Sequence, residues 1–306
     1  MFLAHSGYRF SFLLYLGENN GKLLAWFRFL ICVKITQEFQ LMNILAEMDV
    51  NLAEMRKRSS QGYKIIDLEV TADWVTPIHL IALAASANFL DIQIKCSSKI
   101  ETGRYLNRIK FPYSTRKISS SGTAIPLTRL NVLRDDDILG AYEERILMIV
   151  DKKYRKNFEN TLKYMTSELT TNIREHSRAS DYWILAQHWP ATKTCEIAIA
   201  DTGIGYLESY RGTPFEVDNC HDAIENALEG RSSKNNIERG VGIPSTVRIF
   251  TEGYGGEVVV MTGDAMGVVR KGAYDRYRLR SIWQGALIGL RFNLKNVNIH
   301  PFLSGH

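Results

Sequence analysis

Three observations predict an α/β protein made of a small front unit and a larger second one. Strand-like and helix-like stretches alternate from Tyr63 onward, a Ser-, Gly- and Pro-containing interruption falls at 113–136, and after Ser180 the pattern turns to strands. At 306 residues the chain is long for one domain and natural for two. Its 45% hydrophobic and 23% charged content is that of an ordinary globular protein, long enough to bury a sizeable core.

Residues 1–41 are rich in Phe, Leu and Tyr and hold no sustained period. They read either as an added hairpin or helix on the first domain, or as leader ahead of a start at Met42. The runs "FSFLLYLG" and "LLAWFRFLICV" are too short to span a bilayer, and "ENNGK" separates them. No small-residue cleavage site follows them, so neither a membrane span nor a signal peptide is expected.

The front unit is expected over 42–112. "MNILAEMDVNLAEMRKRSSQ" reads as an amphipathic helix and "YKIIDLEV" as a strand. "TPIHLIALAASANF" reads as a helix with Thr76 as N-cap, Pro77 at its first position, and Ile78, Ile81, Leu83 and Ala85 on a broad apolar face. "LDIQIKC" and "ETGRYLNRI" add a strand and a short helix, predicting a parallel pair. Residues 113–153 are expected as linker and connecting helix, the second domain as 154–296, and a tail as 297–306. Within that domain the sequence predicts a helix over about 154–178, then strands at "YWILAQHW" and "CEIAIAD". Helices are expected near 219–228 and 243–252, and strands at "GEVVVMTG", "MGVVRKG" and "ALIGLRFNL". The arginine-rich "RKGAYDRYRLRSIW" between the last strands reads as a solvated loop.

A net charge of +5 suits an anion such as a nucleotide but falls short of a nucleic-acid footprint. The four cysteines, Cys32, Cys96, Cys195 and Cys220, lie far apart without metal-ligand spacing, which fits a reducing cytoplasm.

Chemistry concentrates in three stretches. "SELTTNIREHSRAS" sets Glu168, Asn172 and His176 four apart, one stripe on a regular helix. "IAIADTGIG" ends a strand in Asp201 and follows it with Gly203 and Gly205, where the backbone can turn sharply and approach a ligand. "EGRSSKNNIERGVGIPSTVRIF" is a polar loop carrying Ser233, Lys234 and Arg239, which closes on Gly240-x-Gly242 at a helix start and so suits phosphate. Taken singly they read as a solvated helix face, an Asp-Gly turn and a flexible helix cap.

In this order and spacing they resemble the gyrase, histidine-kinase and MutL ATPase superfamily, known as GHKL, over roughly residues 155–294. The resemblance implies a Bergerat-type α/β sandwich, a mixed sheet with helices on one face, that takes ATP and Mg²⁺. It gives Asn172 the metal, which suits an oxygen ligand for a hard cation. It gives Glu168 the role of general base and Asp201 the adenine amino group. Gly203, Gly205, Gly240 and Gly242 would shape the pocket and its lid, with Ser233, Lys234 and Arg239 beside them. It fixes no role for His176, which either tunes Glu168 or caps the helix end as a cation. Two departures stand out: the closing strand begins Gly285-Ala286 where the family often has Gly-Thr, and the lid between Gly230 and Gly240 is short.

The front unit is similar to the STAS-like domain of anti-sigma-factor antagonists, on "TPIHLIALAASANF" and "GRYLNRIKF". The expected function is an ATP-hydrolysing regulatory switch acting on a protein partner or within a homodimer. A serine/threonine kinase resembling the anti-sigma-factor kinases and a non-catalytic ATP-binding module are the alternatives.

Overall fold

A computed structural model describes residues 21–70, 75–98, 100–115, 118, 122–231 and 242–303. The chain divides into Met1–Asn43 and Ile44–His306. Of the first part the described portion is the opening of helix α1 (Gly21–Ser60), and the fold below is that of the second. There Ile44, Leu45, Met48, Leu52 and Met55 are buried at helical spacing, so the end of α1 is the amphipathic helix its sequence predicts.

Strand β1 (Ile65–Val70), helix α2 (Pro77–Phe89), strand β2 (Gln93–Ser98) and helix α3 (Ile100–Arg108) follow. The two strands pair in parallel as predicted, with Ile65 opposite Gln93. Next come β3 (Ala124–Asn131), α4 (Asp136–Ile149), α5 (Lys152–Asn172), β4 (Asp181–Trp189) and β5 (Thr194–Asp201). Then come α6 (Gly205–Ser209), α7 (Cys220–Leu228), α8 (Gly242–Arg248), β6 (Glu257–Arg270), β7 (Ala273–Asn293) and α9 (His300–Leu303). No described helix is long and apolar enough to cross a membrane. Cys96, Cys195 and Cys220 are free thiols.

One five-stranded sheet, ordered β3-β4-β5-β7-β6, organises the molecule. Each neighbouring pair is antiparallel, so the expectation of a mixed sheet is corrected. One face carries Ile184, Ile197, Leu290 and Phe292 against Phe158, Leu162 and Met165 of α5. Phe292 stacks there with Phe250 at 4.7 Å and Phe158 at 5.6 Å between ring centres.

Helices were expected on that face alone, but α2 packs against β4, β5 and β7 from the other side. This explains why every residue of β5 is buried. Ile78 of α2 fills the space a side chain at Gly289 would need, 2.3 Å from where that Cβ would stand. The N-terminus of α2 also departs from expectation. Thr76 precedes it with extended backbone but makes no side-chain cap bond. Instead the Ile78 N–H donates to Glu196 Oε1 of β5 at 3.0 Å. Glu196 is fully buried, and Arg291 of β7 lies 3.6 Å from its other oxygen. A carboxylate 118 residues away does the capping.

Two further expectations are revised. The segment read as linker and connecting helix supplies β3, an edge strand of the sheet, and the expected helix as α4, whose Tyr142 and Ile146 are fully buried. The arginine-rich run is strand rather than loop, forming the first half of β7 in one long ribbon with β6. The ribbon bends at Gly263, where the pairing jumps from Gly263–Trp283 to Ala265–Arg278. It doubles back until Arg270 at its tip meets Glu257 at its base, Nε to Oε1 2.6 Å. Acidic partners hold its other arginines: Arg276 pairs with Glu225, and Arg278 with Asp264 at 3.1 Å.

Candidate functional site

The site grows from the end of α5. Glu168 and Asn172 lie one α-helical turn apart, but the chain then widens into a π-helical turn over Ile173–Ser177. Its i→i+5 bonds rotate His176 off the straight stripe that regular spacing predicts, and such turns gather at functional sites. His176 nevertheless faces the same cavity, its Nε2 4.0 Å from Glu175 Oε2.

The turn also fixes the Gly203 loop. The Ser177 carbonyl accepts from the Ile204 N–H at 2.8 Å. A Cβ on Gly203 would stand 2.0 Å from that carbonyl, so only glycine lets the loop dock there. Just before it Asp201 is buried at 3% exposure, its Oδ1 accepting from the Gly203 N–H at 2.8 Å. The Ala286 N–H bonds the same carboxylate. Burial outweighs both bonds and raises the Asp201 pKa from 3.8 to about 6.

Glu168, Asn172, Glu175, Asp201, Gly205 and Gly242 line one cavity of about 370 Å³, within the usual range for small-molecule sites. Gly203 does not line the cavity but bonds Asp201, and Ser233, Lys234, Arg239 and Gly240 lie outside the described residues. Gly242, first in α8, sits so close to Glu168 that a Cβ there would lie 2.1 Å from Oε2. Partial burial holds the Glu168 carboxyl above its usual pKa. Asn172 has a buried Nδ2 with no hydrogen-bond partner among the described residues. A half-turn of the carboxamide would offer its oxygen in that place, so the residue suits a hard cation or a polar ligand.

Sequence reasoning missed part of the lining. Tyr206 and Tyr210 form an aromatic side, and Tyr210 donates to the Arg231 carbonyl at 2.7 Å. Their i, i+4 spacing after Gly205 was the available signal. Arg231 lines the cavity too, held by Asn226 at 2.9 Å and Glu229 at 2.6 Å. Ala286 lines it and presents a methyl there rather than a hydroxyl. Thr262, opposite Ala286 on β6, has a hydroxyl, but it donates to the Gly285 carbonyl at 2.8 Å and accepts from the Tyr206 N–H at 3.1 Å. It fastens the wall, and nothing in the local sequence marks it.

No protein-family model, curated protein or solved structure matches this chain.

The cavity's geometry sets a stability prediction. The Asp201 pKa of about 6 exceeds its unfolded value, so the folded state binds the extra proton. Relative stability from this group is therefore greatest below about pH 4 and is lost as pH rises through about 6. Asp201→Asn keeps an oxygen for the Gly203 N–H and removes the buried charge. The variant is expected to be more stable by about 3 kcal/mol at pH 7.5, with the gain shrinking toward pH 4. Urea unfolding at several pH values checks this; a gain independent of pH would place the burial cost elsewhere.

Proposed function

We propose that residues 155–294 form a Bergerat-type ATP site of the histidine-kinase-like class, and that the chain hydrolyses ATP as a regulatory switch. The observation that carries this reading is the buried Asn172 Nδ2, which has no hydrogen-bond partner among the described residues, in a cavity whose wall also presents Glu168 and Asp201. In this reading the carboxylate of Asp201 accepts from the exocyclic amine of adenine while the Gly203 N–H keeps it oriented. Asn172 would hold Mg²⁺, which when bound offsets the charge of the phosphates. Glu168, one turn earlier, takes the proton from the attacking water, and its raised pKa brings it closer to neutrality. Tyr206 and Tyr210 supply apolar surface for the base. The STAS-like α/β layer, docked through α2 on the sheet's far side, is the element the switch would act through.

Isothermal calorimetry tests the assignment. Asn172→Ala is expected to abolish the Mg²⁺ dependence of ATP binding, and Asp201→Ala to abolish preference for ATP over GTP. Unchanged Mg-ATP binding in both variants would overturn the site.

A further inference from the structure

A second hollow, of about 630 Å³, opens where the β6–β7 ribbon bends. Thr262 and Gly285 line it, and Ala286, next along β7, lines the first cavity. Leu207, Leu279 and Ile282 give it an apolar lining, and Ile282 is 59% exposed without a covering partner. Trp283 also lines it, and among the described residues the indole N–H of this buried residue has no hydrogen-bond acceptor. A buried donor left unmade is uncommon enough to need a reason. At the rim Arg278 is 82% exposed and bonds Asp264 through Nε alone. Among the described residues its two terminal nitrogens, the fork that fits a carboxylate, have no partner.

We propose that this hollow binds an amphipathic organic anion, a small molecule with an aryl or alkyl body and a carboxylate or sulfonate head. The body lies against Leu207, Leu279 and Ile282, the head meets the Arg278 fork, and an acceptor on the ligand reaches the Trp283 N–H. A purely inorganic anion would leave the apolar walls wet, and a purely apolar molecule would leave both donors unmet. The site also adjoins the first cavity. Leu207 and Tyr206 are successive residues of α6, one lining each hollow, and the Tyr206 N–H donates to Thr262, which lines the second.

The probe is 8-anilinonaphthalene-1-sulfonate, titrated into the full-length protein by fluorescence. Saturable one-to-one binding is expected, weakened about tenfold or more by Arg278→Gln and by Ile282→Asp, both at exposed positions that leave the fold intact. Asn172→Ala, which alters the first cavity, is expected to leave probe affinity unchanged whether or not that cavity takes ATP. No saturable binding, affinity indifferent to both ribbon substitutions, or loss of binding in Asn172→Ala would each overturn the proposal.

Discussion

Glu168→Gln is expected to bind Mg-ATP within a factor of a few of the unmodified protein while turnover falls about 10²–10⁴-fold. Gln keeps the size of the side chain, which the tight approach of Gly242 demands. It keeps a hydrogen-bonding oxygen but cannot take a proton. Phosphate release and calorimetry on the same preparation separate the two effects. Turnover within a factor of a few would mean that Glu168 is not the base and only lines the cavity. Loss of binding as well would make it a builder of the pocket, leaving Glu175, which lines the same cavity, as the next carboxylate to test. Because burial raises the Glu168 pKa, the acid limb of kcat is expected above that of an ordinary glutamate.

The second large effect lies on the far face of the sheet. Glu196→Ala removes the acceptor of the Ile78 N–H and strands Arg291, whose side chain is only 15% exposed. Breaking a buried pair from one side costs about 3–5 kcal/mol. For a unit of this size that lowers the melting temperature by roughly 10 °C. Glu196→Gln keeps an oxygen for the N–H and, because burial outweighs Arg291 and raises the Glu196 pKa, is expected to lose little or nothing. Replacing both partners with Met removes the stranded charge and is expected to recover most of the stability. Equal losses in the single and double variants, by thermal unfolding, would show that the pair is not what holds α2.

What was legible followed from local pattern. Helix α2 announced itself by Pro77 and an apolar run, and β4 and β5 by continuous apolar stretches that fit burial on both faces. Strand β3 lies where the sequence shows only short strand-like pieces within a linker. Pro126 interrupts its pairing between Ile125 and Thr128, and the Pro126 carbonyl accepts from the Thr128 and Tyr142 hydroxyls instead of a neighbouring strand. The start of β7 was hidden because its arginines look solvated when their partners, Glu225 and Asp264, are out of view. In the site, glycines and an aspartate at a strand end marked the loop. The π-helical turn that docks it, and the Thr262 fastening, depend on contacts no local window contains.

The docking of α2 on the far face has a consequence for how the protein is made. During synthesis α2 leaves the ribosome 118 residues before Glu196 and well before β7 ends at Asn293. Until then its buried stretch, Pro77 through Ala85, has only the α1 end and the β1–β2 pair for shelter. The ribbon, whose tip and base are 13 residues apart, can close as soon as it emerges, because short loops cost little entropy. The N-terminal layer is therefore made first and secured last, and nascent chains stalled before β5 should depend on chaperones far more than those stalled after β7.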